Sequence, residues 1–209
     1  MRQTKSMDTI HWLLLIVFTG TLAWSAYDNH DYVTWAMEAV PGILAVTILA
    51  LTFKRFRFTT LVYMMILVHC VILFIGAKYT YAKVPLFDWL RDYFDMARNN
   101  YDKLGHFAQG FVPALVAREM LVRLRVVNGR GWMNLFVVSI CMSVSALYES
   151  IEWIAAEIEG GAAEAFLGTQ GYEWDTQSDM LFALLGALCA ILFFSRVHDQ
   201  AIKAEEKLP

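Results

Sequence analysis

The chain has 209 residues, of which 58% are hydrophobic and 18% are charged, and its formal net charge is −3. A typical soluble domain is only about 45–50% apolar, and the apolar excess of this chain comes in blocks, which indicates transmembrane helices. The small net charge and the lack of a basic run interleaved with aromatic residues exclude a nucleic-acid-binding surface.

Six apolar segments follow one another along the chain and predict six transmembrane helices. A helix that crosses a bilayer needs about 20 mostly apolar residues. The first, third and fifth segments meet this length readily, whereas the fourth and sixth are shorter and need polar first turns at the level of the lipid headgroups. The predicted spans are approximately residues 10–27, 35–53, 58–77, 102–118, 131–158 and 179–195.

The first segment lacks a convincing small-residue cleavage site, so we expect an uncleaved helix rather than a signal peptide. Cys70, Cys141 and Cys189 lie singly within apolar runs, which favours packed core residues over a zinc site. No linker or repeat divides the chain. We therefore predict a single all-α membrane domain over residues 1–209.

The segment PLFDWLRDYFDMARN, residues 85–99, lies between the third and fourth spans and mixes apolar with charged side chains. Trp89 and Tyr93 add aromatic rings of the kind that favour a membrane–water interface. We predict an amphipathic helix at about residues 86–98 on the membrane surface. A short helical loop packed on the bundle explains the same pattern, because amphipathicity alone does not separate the two.

The distribution of Lys and Arg predicts the orientation of the bundle. With both termini in the cytoplasm, twelve of the 17 basic residues fall on the inner side and fifteen of the 20 acidic residues fall on the outer side. We therefore predict six spans with both termini cytoplasmic.

Ionisable residues recur at helical spacing on the last three predicted spans. Asp102 and His106 lie four residues apart, so they share one helix face. Asp175 and Asp179 have the same spacing at the start of the sixth span. The fifth span carries a third pair near its end, Glu149 and Glu152. Because all three pairs fall near the outer boundary in the predicted topology, we expect them to meet in one pocket.

Beyond these polar pairs, Gln109, Gly110 and Pro113 continue the face of the fourth span. Ala183, Gly186 and Ala190 extend the face of the sixth span, and such small residues permit close helix packing in a membrane. The inner halves of the spans read as almost wholly apolar. This pattern favours a pocket confined to the outer side and counts against a polar path across the membrane.

Charged side chains within a span cost at least about 2.5–3.5 kcal/mol each on insertion scales, so something must compensate the acidic pairs. One solution is a divalent ion such as Mg²⁺, Mn²⁺ or Zn²⁺, for which the candidate ligands are Asp102, His106, Glu149, Glu152, Asp175 and Asp179. A second solution is a proton shared by the glutamates, which gives an acid–base pair. The third is a structural ion-pair network with Lys103 and nearby Arg side chains. The sequence leaves all three open.

Three further polar features have ordinary structural explanations. The loop YDNHDYVTW, residues 27–35, is explained as a hydrated connection, and alternatively as a lid or a source of another ligand. Tyr79 and Tyr81 fit anchoring at the membrane interface. His69 lies alone in the third span, which favours an interhelical hydrogen bond over ligation.

Four stretches, YTYAKVPL, YDKLGHFAQGFVPA, SALYESIEW and AFLGTQGYEWDTQSDM, together resemble the YjdF-type bacterial inner-membrane proteins over about residues 24–199. The resemblance implies a multi-pass protein of the bacterial inner (plasma) membrane, in a family known as a domain of unknown function. Asp102, Lys103, His106 and Phe107 are also similar to the helix opening of VanZ-like membrane proteins. That similarity implies cell-envelope or lipid-linked substrates.

The leading hypothesis is an enzyme-like pocket, open to the outer face of the lipid bilayer, that acts on a lipid or lipid-linked headgroup by hydrolysis or transfer. In this hypothesis Asp102 orients or completes the metal site, and His106 is a general acid–base or a further ligand. Lys103 contacts a phosphate of the substrate. The alternatives are a small ion-coupled transporter, whose carboxylates relay the ion, and a non-catalytic membrane scaffold.

Overall fold

The computed structural model describes residues 7–29, 31–159 and 170–207, and within these ranges every regular element is a helix. The helices are α1 Thr9–Ala26, α2 Tyr32–Thr52, α3 Thr60–Lys78, α4 Pro85–Tyr93, α5 Tyr101–Arg123, α6 Arg130–Glu159 and α7 Asp175–Lys207. A π-helical turn at Ala190–Phe194 lies within α7. The predicted all-α fold class is thereby confirmed.

Five of these helices, α1, α2, α3, α6 and α7, are long and apolar enough to cross a membrane. The sixth long helix, α5, has 23 residues and a more polar sequence. Twelve of its residues are buried, because α5 packs against α3, α6 and α7. Neighbouring helices therefore shield its polar side chains from lipid, as a membrane bundle requires.

The outside of the bundle is apolar. Large hydrophobic side chains are exposed along α1, α2, α6 and α7, including Trp12, Ile16, Leu51, Leu147, Trp153, Leu192 and Phe193. In water such a surface drives association, whereas in a bilayer it contacts acyl chains. The exposure pattern thus agrees with an integral membrane bundle.

The tightest helix packing joins α5 to α7 through small residues. A Cβ atom at Gly110 would overlap the backbone carbonyl of Ala183, and one at Gly186 would overlap the backbone of Phe107. Ala183 and Ala187 are fully buried in the same interface. This contact holds the start of α5 and the start of α7 side by side, which positions the polar residues that both helices carry there.

The packing predicts opposite effects for two equivalent substitutions. Gly110→Ala must push α7 away from α5, so we expect a loss of about 1–3 kcal/mol of stability. Gly20→Ala, on α1 where a Cβ meets no neighbouring atom, should be neutral or stabilise the helix by up to about 1 kcal/mol. Thermal unfolding in detergent, followed by size-exclusion chromatography, measures both. Equal melting temperatures for the two variants would contradict the packing.

The surface helix is shorter than the predicted segment 86–98. It ends at Tyr93, because the chain turns at Asp95, whose backbone has a positive φ of 50°. Leu86, Trp89 and Tyr93 are exposed on α4, as expected of a helix at the membrane surface. The turn redirects the following residues, so that Arg98 is buried rather than exposed.

The expectation of almost wholly apolar inner halves is wrong. At the end of the bundle opposite the acidic pairs, Glu119 and His198 have no exposed surface. Glu119 accepts hydrogen bonds from Thr59 N–H and from the Thr59 hydroxyl, both at 2.8 Å. It also accepts from Arg123 at 2.7 Å and lies 3.1 Å from His198 Nε2. These four residues, the Glu119 cluster, join α3, α5 and α7.

Candidate functional site

The starts of α5 and α7 and the end of α6 meet at one end of the bundle. This end holds the six predicted metal ligands, Asp102, His106, Glu149, Glu152, Asp175 and Asp179. All but Glu152, which is half-buried, are buried. Their proximity follows from topology, since α5 and α7 begin and α6 ends at the same level.

One part of the site is a network of ion pairs around Lys103. Its ammonium nitrogen lies 2.6 Å from Asp175 Oδ1 and 2.6 Å from Asp179 Oδ1. It is also 3.5 Å from Asp102 Oδ2. An ammonium group has three donors, and two of them form hydrogen bonds to Asp175 and Asp179. Lys103 therefore compensates the charge of the aspartates, as the structural interpretation of the sequence expects.

Arg98 is a second cation in this network, where the sequence interpretation expected nearby Arg side chains without naming this one. Its guanidinium donates to Asp175 Oδ1 at 2.6 Å and lies 3.6 Å from Asp102 Oδ2. The ring of Tyr172 lies 5.4 Å from the guanidinium carbon, within the range of a cation–π contact. Asp175 is thus held by two cations, and it belongs to neither of the candidate metal-binding groups.

The other part of the site surrounds the imidazole of His106. Its Nε2 lies 3.3 Å from Asp102 Oδ1 and 3.8 Å from Asp179 Oδ1. Its Nδ1 lies 3.0 Å from Gln109 Oε1 and 3.6 Å from Glu149 Oε1. The ring therefore joins the aspartate network on one side to the glutamates of α6 on the other.

Two overlapping groups of side chains have the spacing of metal ligands. They are Asp102, His106 and Asp179, and His106, Glu149 and Glu152, and in each group the ligand atoms lie within 4.8 Å of one another. Ligand atoms lie about 2.0–2.6 Å from a bound divalent ion, so two ligands of one ion are at most about 5 Å apart. Either group is compatible with one ion.

Glu38 is a further member that sequence reasoning did not include. It is buried on α2, where the hydroxyl of Tyr148 donates to its Oε2 at 3.0 Å. Tyr81 is buried beside it and also hydrogen-bonds its carboxylate, so Tyr81 is not merely an interfacial anchor. Burial raises the pKa of the Tyr81 phenol well above its ordinary value, which keeps the hydroxyl a donor. The sequence feature that could have identified Glu38 as a site residue is its position as a lone Glu in an apolar segment.

The site carries more negative than positive groups. Its six carboxylates face two permanent cations, Lys103 and Arg98; the carboxylates belong to Glu38, Asp102, Glu149, Glu152, Asp175 and Asp179. Among the described residues, no hydrogen-bond partner is found for three buried oxygens, Asp102 Oδ2, Glu149 Oε1 and Ser145 Oγ. Buried oxygens of this kind usually have a partner, so the site is suited to a positively charged ligand.

The remaining predicted features lie outside this cluster. Asp31 is the N-cap of α2 and accepts a hydrogen bond from Val33 N–H at 2.9 Å, which is an ordinary structural role. His30 lies outside the described residues. His69 lines a cavity next to the site, and no hydrogen-bond partner is found for its Nε2 among the described residues.

That cavity has a volume of about 500 Å³ and lies between α2, α3, α5 and α6. Glu38, Asp102, His106 and Glu152 line one end of it. The site is therefore the polar end of a larger space within the bundle.

These features define a multi-pass helical membrane protein that buries an acid- and histidine-rich pocket at one end of its bundle. The chain belongs to the family described as "Predicted membrane protein (DUF2238)", which matches residues 10–200. It is similar to the "Inner membrane protein YjdF" of Escherichia coli (strain K12), with 47% identity over 190 residues, or 91% of this chain and 88% of that protein. No solved structure matches the chain. The resemblance to YjdF-type proteins and the membrane location are thus confirmed.

Proposed function

We propose that this protein is a metal-dependent membrane enzyme that hydrolyses or transfers the headgroup of a lipid or lipid-linked molecule. One observation carries the proposal: His106, Glu149 and Glu152 present ligand atoms within 4.8 Å of one another at the polar end of an otherwise apolar cavity. In the orientation that the Lys and Arg distribution predicts, this pocket opens to the outer side of the bacterial inner membrane.

Electrostatics favours one of the two candidate metal groups. The aspartates of the first group already contact Lys103, at 2.6 Å from Asp179 and 3.5 Å from Asp102, and a second cation there meets repulsion. The glutamates of the second group form no ion pair with Lys or Arg among the described residues, and Glu149 Oε1 has no hydrogen-bond partner there. We therefore assign the ion to the second group.

The donor set narrows the choice of metal. An imidazole nitrogen with two carboxylates suits Zn²⁺ or Mn²⁺ better than Mg²⁺, which prefers oxygen ligands and water. Gln109 Oε1, at 3.0 Å from His106 Nδ1, is within reach as a further oxygen donor. Asp102 accepts from the opposite nitrogen of His106 and fixes the orientation of the ring, as outer carboxylates do for metal-bound histidines.

A divalent ion held by three protein ligands supplies a bound water of lowered pKa, near 7 for zinc. In the hydrolytic reaction, the oxygen of a water molecule bonds to the phosphorus or carbonyl carbon of the headgroup ester. The ester bond breaks, and the leaving oxygen takes the proton that the water gives up.

A transporter is less well supported. The Glu119 cluster gives the opposite end of the bundle a second polar site, but α5 buries only apolar side chains and Gly110 between Gln109 and Glu119. Along α5 the two polar sites are therefore separated by about 15 Å of helix without a buried polar side chain, whereas an ion relay requires continuous polar groups.

Metal analysis tests the proposed function. Protein purified in detergent and incubated with Zn²⁺ or Mn²⁺ should retain about one ion per chain, whereas Glu149→Gln should retain none, because the amide removes a charged ligand of the same shape. Glu157→Gln, an exposed position on the same helix, is the matched control and should bind the ion normally.

The same variants test the reaction. In cells that lack the protein, the lipid or lipid-linked substrate should accumulate, and expression of Glu149→Gln should not reverse this whereas Glu157→Gln should. If the wild type contains no metal, or if Glu149→Gln contains as much metal as the wild type, the proposal of a metal-dependent enzyme is wrong.

A further inference from the structure

The cavity beside the site extends along the helices of the bundle. Along α2 its lining extends from Glu38 to Thr52, which is about four helical turns or roughly 21 Å. Along α5 it extends from Asp102 to Met120. The cavity therefore reaches across most of the roughly 30 Å hydrocarbon core of a bilayer, and its volume of about 500 Å³ falls within the range of small-molecule sites, about 300–1,000 Å³.

The lining of the cavity changes character along this length. Its charged residues all lie at the end that contains the site, namely Glu38, Asp102, His106 and Glu152. Below them the lining includes His69 and is otherwise mainly apolar, with Ala45, Leu49, Val112 and Val116, and Phe56 and Phe58 lie at the far end. A charged end joined to a long, mainly apolar channel matches an amphiphile with one hydrocarbon chain in the channel.

The cavity also has a lateral opening toward the bilayer. Among the described residues α2 packs on α3 and α6 packs on α5 and α7, but α2 and α6 do not form a packed pair. A second cavity fills this gap and shares Pro41, Val144, Tyr148 and Glu152 with the first. Exposed apolar side chains border it, including Val40, Leu44, Leu147 and Ile151. A lipid chain can therefore pass between α2 and α6 without crossing water.

We propose that the long cavity binds one acyl chain of a membrane phospholipid, which enters between α2 and α6 and places its headgroup beside Glu152 and His106. The hydrogen bond from Tyr148 to Glu38 crosses the gap at its polar end, next to the headgroup position. This inference rests on the proposed function for the chemistry at the headgroup, but binding of the acyl chain itself needs no metal.

Photolabelling tests the proposal. The probe is a phosphatidylethanolamine with a diazirine near the end of one acyl chain, because its ammonium group suits a carboxylate-rich site. The protein is placed in nanodiscs of phosphatidylethanolamine and phosphatidylglycerol, illuminated and mapped by mass spectrometry. In the wild type, labels are expected on the cavity-lining residues Leu49 and Val116 as well as on bilayer-facing residues.

Ala45→Trp fills the middle of the cavity and should abolish labels at Leu49 and Val116. Leu51→Trp is the control on the same helix, since Leu51 is 77% exposed and does not line the cavity. Val116→Phe fills the cavity from α5 and serves as a second test if Ala45→Trp does not fold. Labels confined to bilayer-facing residues in the wild type, or labels unchanged in both filled variants, would overturn the proposal.

Metal binding and acyl-chain binding can be tested separately in this experiment. If Glu149→Gln loses the ion but keeps the cavity labels, both the metal assignment and the acyl-chain site are supported. If the wild type binds no metal but shows the cavity labels, the proposal of a metal-dependent enzyme is wrong and the acyl-chain site is still supported.

Discussion

Replacing Lys103 by methionine is expected to destabilise the protein by about 3–5 kcal/mol, because removing one partner of a buried ion pair leaves the other charge uncompensated. The ammonium of Lys103 is the shared partner of Asp175 and Asp179 at 2.6 Å each. Methionine keeps much of the volume of the lysine stem, so the expected loss reports charge rather than packing.

Thermal or denaturant unfolding in detergent measures this loss, with Lys83→Met as a matched control at an exposed position. Adding Asp179→Asn to Lys103→Met should recover part of the lost stability, since it removes one of the two stranded carboxylates. If Lys103→Met alone is as stable as the Lys83→Met control, Lys103 does not compensate the charge of the aspartates.

The network also restricts what Lys103 can do for a substrate. The sequence predicts that Lys103 contacts a phosphate, and that prediction stays open. In the structure, a phosphate at this ammonium competes with Asp175 and Asp179, which already accept hydrogen bonds from it. Comparing the stability of Lys103→Met with its turnover therefore separates a structural role of Lys103 from a role in substrate binding.

Much of the site was predictable because helical spacing and topology act together. Pairs three or four residues apart share a helix face, and alternation of the spans brings the starts of α5 and α7 to the end of α6. Ala183 and Gly186 carried the packing signal on the sixth span, since small residues permit close approach. Membrane chains allow this inference because every span must cross the same thickness of hydrocarbon.

The missed residues depend on contacts that no local pattern records. Arg98 fell within a segment of regular amphipathic pattern, but the helix ends at Tyr93 and the chain turns at Asp95 before it reaches the site. Glu38 is one acid in an apolar helix, and its partners Tyr81 and Tyr148 come from distant parts of the chain. Pairing over such sequence distances is a property of the fold rather than of any segment.

The Glu119 cluster was missed for a related reason. The predicted fourth span ended at residue 118, because charged residues follow it, whereas α5 continues to Arg123. Hydropathy treats these charges as solvated. In the structure Thr59, at the start of α3, and His198, on α7, bury them. The helix is thus longer than its apolar run, because neighbouring elements satisfy its polar last turns.

Glu119→Ala is accordingly expected to cost about 3–5 kcal/mol, the range for breaking a buried charge pair. The substitution leaves Arg123, His198 and both donors of Thr59 without their shared acceptor. Glu206→Ala, at an exposed position on α7, is the control and should change stability by less than about 0.5 kcal/mol. Unfolding in detergent measures both variants, and equal stability would contradict a structural role for the cluster.

The position of the Glu119 cluster gives this prediction a second readout. Glu119 lies 13 residues beyond His106 on α5, or about 20 Å along the helix. Energetic effects of sites this far apart usually add independently. The folded fraction of Glu119→Ala should therefore bind the proposed ion at His106, Glu149 and Glu152 with wild-type stoichiometry, whereas Glu149→Gln should lose the ion with little loss of stability. A folded Glu119→Ala protein without metal would instead show that the two ends of α5 are coupled.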